Sequence, residues 1–175
     1  MRLSAMTTGL ALGIGLVFSA PAFAGALREP VLTALSGVED VPTADNLRAL
    51  GSGVEAELLE IAQDANVART RRARAVQALG WFPSPASRSF LEQTLGVTDR
   101  LMARKAAYAL ANGWGNDAVP VLTIALGNDD VQLRDAAARA LAIVGSSAAD
   151  AALRERLSVE TNETVQATIQ SVLAD

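Results

Sequence analysis

The sequence predicts an all-α fold, a right-handed α-solenoid in which antiparallel helix pairs stack one on the next. Alanine, the strongest helix former, supplies 35 of the 175 residues. Apolar residues return every 31 positions, as in the column formed by Leu79, Leu110 and Leu141. Glycine or a polar turn divides each of these units into two helical stretches. A period of this length, with two helices in each unit, is typical of repeat proteins whose units share one continuous core.

Residues 1–24 form a separate segment with the pattern of a secretory signal peptide. Arg2 provides a positive start, residues 6–18 carry no charge, and small residues at the A-x-A spacing end at Ala24. An uncleaved membrane anchor is the alternative, but the apolar run is shorter than the roughly 20 residues that a spanning helix needs. We therefore expect cleavage after Ala24 and a soluble, exported chain that begins at Gly25, in the periplasm or outside the cell.

The period divides the rest of the chain into repeats. Residues 53–175 are predicted to form the repeat domain, with repeats at about 53–82, 84–114, 117–145 and 147–175. Residues 25–52 are predicted to be a degenerate leading repeat or a linker. The stretch from Pro30 to Val41 favours a repeat, because it aligns without a gap on the stretch from Pro120 to Val131. In that case Thr43 caps a short second helix.

Within each repeat, local signals mark where the helices begin and end. First helices carry leucine at positions i and i+4, as in Leu122 and Leu126, and end at a glycine such as Gly127. Second helices are rich in alanine, leucine and arginine, and they also end at glycine. The residues expected to cap the N-termini of first helices are Ser84, Asn116 and Ser147. Alanine in the inward columns allows neighbouring helix pairs to stack closely.

One segment carries the repeat pattern in full, and it reads Asp129-Asp130-Val131-Gln-Leu-Arg134-Asp-Ala-Ala137-Ala-Arg-Ala140-Leu141. This pattern resembles the HEAT-repeat family, and in particular the short HEAT-like repeats of the phycobilisome-lyase type. The resemblance covers residues 53–175 well and residues 29–51 weakly. It implies the solenoid fold and, most commonly, a protein-binding scaffold. The last repeat departs from the pattern, with Val165 in the arginine column, as is typical of a repeat that caps a solenoid.

The resemblance also implies a ladder of structural ion pairs. In HEAT-like repeats an aspartate in the turn commonly pairs with an arginine of a second helix and locks adjacent repeats. By position, Arg72 and Arg134 fill the arginine column of this chain, and Asp99 and Asp130 fill the turn column. The arginine column is interrupted at Ala103, so we expect the ladder to be broken in the middle repeat.

The outward columns of the second helices form the candidate binding surface, because second helices usually line the concave face of such solenoids. The predicted partner-binding residues are Arg74, Gln77, Trp81, Arg104, Lys105, Tyr108 and Arg139. Arginine and aromatic side chains dominate binding hot spots through their large contact area and their stacking and bidentate contacts. The surface is predicted to bind an acidic or extended protein segment. The alternative is a solvated helix face with Trp81 packed beneath the neighbouring repeat.

The composition excludes several chemistries. The chain has no cysteine and no histidine, so it offers no thiol nucleophile, disulfide, thiolate zinc site or imidazole base. It has no phosphate-binding loop or nucleophile elbow, and we predict no catalytic residue and no cofactor. Asn128, Asp129 and Asp130 are interpreted as a turn rather than a calcium loop, since no distal glutamate follows at the required spacing. No metal site is predicted.

The charge balance argues against nucleic acid as a partner. Without Arg2 the chain holds 14 basic and 19 acidic residues, which gives a net charge of −5. The densest basic run, residues 69–74, is interpreted as inter-repeat salt bridges and solvated side chains, although an anionic lipid or polysaccharide also fits it.

These observations predict an exported, non-enzymatic scaffold that binds a protein partner through its second helices. Two alternatives stay open. In the first, the chain is an accessory or catalytic subunit similar to the lyase-type members of the family. In the second, it is a structural envelope protein that contacts anionic lipid or glycan. In a host with two membranes, the expected site of action is the periplasm.

Overall fold

The computed structural model of the protein describes residues 26–37 and 42–174. The predicted signal peptide lies outside the described residues. Within them the regular secondary structure consists of α-helices and short 3-10 segments, with no strand, which confirms the all-α prediction. The helices are α1 (Arg28–Ala34), α2 (Ala44–Arg48), α3 (Val54–Gln63), α4 (Arg69–Ala78), α5 (Pro85–Leu95), α6 (Arg100–Trp114), α7 (Val119–Leu126), α8 (Val131–Val144), α9 (Ser147–Leu157) and α10 (Glu163–Ala174).

Helices α3 to α10 form four successive pairs, each with a first and a second helix joined by a short turn. The second helices α4, α6, α8 and α10 contact one another in series, and they do so more extensively than the first helices α3, α5, α7 and α9. Because successive second helices lie closer to one another than successive first helices do, the stack curves, and the second helices lie on its inner side. The predicted α-solenoid is confirmed, and its concave face is formed by the second helices.

The repeated columns of the sequence form a continuous core. Leu79, Leu110 and Leu141 lie at equivalent positions and are fully buried. Alanines of the inward columns are buried with them, namely Ala75, Ala78, Ala106, Ala109, Ala137 and Ala140. Because each alanine ends at a methyl group, adjacent second helices approach closely enough for the leucines to fill the space between the pairs. Burial of this apolar surface stabilises the stack, and each Å² removed from water contributes about 25 cal/mol to the free energy of folding.

Side-chain caps begin several of the helices. Thr43 and Ser84 accept hydrogen bonds from backbone amides in the first turns of α2 and α5. Two of the predicted caps are wrong. Asn116 lies inside a 3-10 segment that runs directly into α7, whose start has no side-chain cap. Helix α9 is capped by Ser146, which comes one residue before the predicted Ser147.

The described part of the leading segment forms a short helix pair. Val31 and Leu35, at α1, and Leu47 of α2 are fully buried, and α1 packs against α3. Thr43 is the N-cap of α2, and its hydroxyl accepts from the Asn46 amide at 3.2 Å. The apolar core of the solenoid therefore extends into this pair.

Arg28 and two carboxylates reinforce the contact between the leading helix pair and the first full repeat. Arg28 of α1 forms ion pairs with Glu57 (3.2 Å) and Asp64 of the α3 segment. Burial, together with Glu60, raises the pKa of the Glu57 carboxyl, and Arg28 opposes that shift. Arg28 thus supplies the positive charge that a buried carboxylate requires.

Two glycines allow the closest backbone approach between second helices. A Cβ on Gly80 would lie 2.6 Å from the Ala109 carbonyl oxygen and 2.9 Å from the Ala109 Cα atom. A Cβ on Gly113 would lie 2.8 Å from the Gly80 carbonyl oxygen. No side chain fits between the end of α4 and α6 at this point, and glycine is needed for contact rather than for its backbone freedom.

Candidate partner-binding face

The predicted contact residues lie on the inner helices. We call them the second-helix ridge, which consists of Arg74, Gln77, Trp81, Arg104, Lys105, Tyr108 and Arg139. Helix α4 carries Arg74 and Gln77, and Trp81 lies in the 3-10 segment that follows it. Helix α6 carries Arg104, Lys105 and Tyr108, and α8 carries Arg139. All are half-buried except Arg139, which is exposed. The structure therefore brings these residues together on the face formed by second helices.

Lys105 marks the most positive part of the ridge. It is the only lysine of the chain, and its ammonium donates to the Gln77 side-chain carbonyl oxygen at 2.7 Å. Burial and the nearby charges of Arg104 and Arg74 lower the Lys105 pKa. Among the described residues no carboxylate forms a salt bridge with Lys105 or Arg104. Within the part of the chain that the structure describes, the positive charge of this pair on α6 therefore has no carboxylate partner.

The ridge becomes charge-balanced where α6 meets α8. The Arg139 guanidinium binds Asp135, with an Nε–Oδ2 distance of 3.0 Å, and also donates to the Thr168 hydroxyl at 3.1 Å. Tyr108 lies beside this pair; burial raises the pKa of its phenol, Asp135 adds to that shift, and the cations Arg139 and Arg104 oppose it. Sequence reasoning missed Asp135, although its i, i+4 spacing from Arg139 is a recognisable pairing signal.

Two members of the ridge also have structural partners. Arg74 donates from one guanidinium nitrogen to the carbonyl oxygens of Leu35 (2.7 Å) and Gly37 (2.8 Å), and so it holds the end of α1. Trp81 packs against the core, and its carbonyl accepts from Arg48 at 2.9 Å. These contacts leave Arg104, Lys105 and Tyr108 as the residues of the ridge best placed for a partner.

The inter-repeat ladder exists, but at Asp99 and Asp130 its arginines, Arg69 and Arg100, are not the predicted ones. Asp99 accepts two hydrogen bonds from Arg69, at 2.9 and 2.7 Å, and Asp130 pairs with Arg100 at 2.5 Å. The Arg69 guanidinium is the largest cause that lowers the Asp99 pKa to about 2. Each arginine is the first residue of a second helix, and each aspartate is the N-cap of the next one. The ladder therefore joins the N-termini of α4, α6 and α8.

Of the two predicted ladder arginines, Arg72 binds within its own repeat, whereas Arg134 binds both its own repeat and Glu160 of the next repeat. Arg72 donates from Nε to the Ala62 carbonyl at 3.1 Å, and Arg134 donates from Nη1 to the carbonyls of Asn128 (2.9 Å) and Asp129 (3.0 Å). The physical reason is direction. Helical side chains lean toward the N-terminus, so an arginine at the fourth position of a helix reaches back to the segment that precedes that helix.

Arg134 has a further partner in a buried cluster at the last repeat. Glu160 accepts from Arg134 Nε at 2.8 Å and Nη2 at 2.9 Å, from the Arg156 guanidinium at 2.7 and 2.9 Å, and from the amides of Thr161 and Asn162. The Glu160 side chain is fully buried, and the hydrogen bonds from Arg134 contribute most to lowering its pKa to about 2. Glu160 was not among the residues predicted from the sequence.

The described residues contain no group of three or more acidic side chains arranged to hold a metal ion. No helix among them is long and apolar enough to cross a membrane.

The fold and the ladder together define a class, an α-solenoid built from two-helix repeats. Residues 96–174 match the family model of HEAT repeats. The fold is similar to a chain from the structure of the complex of CpcE and CpcF of phycocyanin lyase from Nostoc sp. PCC7120, with a TM-score of 0.62 and 18% sequence identity. That match covers 84% of this chain and 98% of the other. No curated protein matches the sequence.

Proposed function

We propose that the protein is an exported, non-enzymatic HEAT-type scaffold that binds an acidic segment of a protein partner on the second-helix ridge. The observation that carries this proposal is the cationic pair Arg104 and Lys105, which lies on the concave face beside Tyr108 and forms no salt bridge with the described residues. An unneutralised, half-buried cation is costly unless something opposite in charge completes its surroundings. A carboxylate-bearing partner would do so.

The architecture suits this role for a second reason. The helices that carry the ridge are packed into one core, so the backbone that presents its side chains is fixed before binding. A preorganised surface loses little conformational entropy when it binds, and more of the contact energy contributes to affinity. Asp135, which neutralises Arg139, limits the acid-binding part of the ridge to the α6 residues.

Export rests on the sequence of residues 1–24, with its basic start, its uncharged apolar run and its A-x-A end. The mature chain then acts in the periplasm or outside the cell. A scaffold without disulfides suits this location only if packing alone stabilises it, and the continuous core from α1 to α10 provides that packing.

The test is a crosslinking pull-down with the mature chain as bait, run on envelope and cytosolic fractions. Arg104→Glu or Lys105→Glu is expected to reduce capture of an envelope partner about tenfold or more, because each introduces repulsion at an acid-binding site. Arg154→Glu is the matched control, since it makes the same charge change on the exposed side of α9. Equal losses in all three variants, or a partner found only in the cytosolic fraction, would contradict the proposal.

A second candidate is an accessory or catalytic subunit. It is favoured by the similarity in fold to a chain from a phycocyanin lyase complex. A chromophore or another small ligand that co-purifies with the chain at a fixed stoichiometry would support this candidate over the scaffold.

A further inference from the structure

A cavity of about 440 Å³ lies between the turns that precede α6 and α8. It is separate from the second-helix ridge. Its walls include Leu95, Val97, Thr98, Ala103, Asp129 and Leu133. The lining is mixed, because it includes apolar residues such as Leu95 and Leu133 together with the acidic residues Asp129 and Asp130.

The repeat register explains why the cavity is there. Ala103 stands one full period after Arg72 and one full period before Arg134. In their own repeats both arginines reach back before the second helix: Arg72 donates to the Ala62 carbonyl oxygen near the end of α3, and Arg134 donates to the carbonyl oxygens of Asn128 and Asp129 in the turn before α8. At Ala103 the side chain stops at a methyl group. The middle repeat therefore keeps the loop of its neighbours without the guanidinium that binds to it.

The acceptors that such a guanidinium would use are present. Val97 and Thr98 stand one period before Asn128 and Asp129, whose carbonyls bind Arg134. In the part of the chain that the structure describes, the carbonyls of Val97 and Thr98 accept no hydrogen bond. The Asp129 carboxylate likewise forms no salt bridge with the described residues.

Among the described residues, one cation lies in the cavity wall, and it already has an acidic partner. Arg100 lines the cavity, but its guanidinium pairs with Asp130 at 2.5 Å as part of the ladder. The negative charge of Asp129 is therefore not neutralised by it. Leu95 and Leu133 are almost fully buried and offer an apolar wall against which a methylene stem can pack.

We propose that this cavity binds the guanidinium of an arginine side chain presented by a polypeptide partner. Its planar fork of N–H donors can bind backbone carbonyls and a carboxylate at the same time, as Arg134 does with the carbonyls of Asn128 and Asp129 and the carboxylate of Glu160 in the next repeat. A lysine ammonium lacks that geometry and is more strongly hydrated. The site is independent of the ridge, because the two share no residue.

The test is an NMR titration of the isotope-labelled mature chain with a blocked pentapeptide, acetyl-Ala-Ala-Arg-Ala-Ala-amide. Saturable shifts are expected at the amides of Val97, Thr98 and Asp129, and the same peptide with citrulline, which is uncharged, is expected to bind at least tenfold more weakly. Equal binding of the citrulline peptide would overturn the proposal. Free L-arginine that binds as tightly as the peptide, or more tightly, would contradict a polypeptide source.

Two variants locate the binding. Ala103→Arg is expected to place the chain's own guanidinium in the cavity, raise the urea midpoint of unfolding and abolish the peptide-induced shifts. Asp129→Asn is expected to weaken peptide binding several-fold, whereas Asp117→Asn, at another exposed acid, leaves it unchanged. If Ala103→Arg does not fold, the comparison of Asp129→Asn with Asp117→Asn still shows whether the peptide binds in this cavity. Peptide binding that is unaffected by Asp129→Asn would contradict the assignment.

Discussion

Replacing Glu160 with alanine is expected to lower the free energy of unfolding by about 3–5 kcal/mol, the range seen when one partner of a buried ion pair is removed. The Glu160 side chain is fully buried and receives hydrogen bonds from two arginines. Without it, Arg134, whose side chain is only 9% exposed, loses the carboxylate partner of its guanidinium in a largely buried site. The turn between α9 and α10 also loses the acceptor for the amides of Thr161 and Asn162.

Urea denaturation followed by circular dichroism measures this change. Glu155→Ala is the matched control, because Glu155 is exposed on α9, and it is expected to change stability by about 0.5 kcal/mol or less. Glu160→Gln is expected to fall between the two variants, since it keeps the shape of the side chain and one acceptor oxygen but not the charge. A loss below about 1 kcal/mol for Glu160→Ala would show that the cluster does not hold the last repeat.

Glu160 of this cluster and Asp99 of the ladder make stability depend on pH in the acid range. The pKa of Glu160 is lowered from 4.5 to about 2, and that of Asp99 is lowered from 3.8 to about 2, in each case chiefly by hydrogen bonds from an arginine. A carboxyl with a depressed folded-state pKa stabilises the fold above its unfolded pKa and loses that contribution as the pH falls through its folded pKa. The urea midpoint is therefore expected to be constant from pH 7 to about 5 and to fall between about pH 4.5 and 2. Glu160→Gln should flatten that fall, and an unaltered slope in this variant would contradict the assignment.

Gly80→Ala is expected to destabilise the protein by about 1–3 kcal/mol or more, because its Cβ would meet backbone atoms that cannot move alone. The new Cβ would lie 2.6 Å from the Ala109 carbonyl oxygen and 2.9 Å from the Ala109 Cα atom. Relief of this clash requires α4 and α6 to separate along the contact that runs through the middle of the core.

Gly96→Ala is the matched control for this substitution. Gly96 has a φ of −88°, and its nearest neighbour to a new Cβ is the Gln93 carbonyl oxygen at 3.6 Å. Alanine is therefore expected to be tolerated there, with a change in thermal midpoint much smaller than that of Gly80→Ala. Similar midpoints for the two variants would show that the helices separate at little cost, contrary to the packing described above.

The fold was predictable because burial follows a period that is visible in the sequence. The columns that contain Leu79 and Ala75 recur in successive repeats, and a recurring apolar position on a helix has one stable place, the shared core. The ladder was only half predictable. The period identifies the turn aspartates, but it does not tell which nearby arginine, Arg69 or Arg72, points at the next repeat. That choice depends on the direction of each side chain from its helix.

The polar cluster at Glu160 was harder to find. Glu160 stands one period after Asp129, so it does occupy a turn column, but it belongs to the repeat that departs most from the pattern. Its role depends on two arginines that lie 26 and 4 residues away and meet only after α8, α9 and α10 have packed. The signal that would have pointed to it is Arg134 itself, a buried guanidinium that requires a carboxylate.

The central claim, that the second-helix ridge is the partner-binding face, is tested most directly by amine acylation. Lys105 is the only lysine in the chain, so its modification can be followed by mass spectrometry without interference from another side-chain amine. The complex is reassembled from the protein and the identified partner without crosslinker. In this complex the acylation rate of Lys105 is expected to be at least tenfold lower than in the free protein. The N-terminal amine serves as the internal reference. An unchanged rate at Lys105 with the partner bound would place the interface elsewhere on the solenoid.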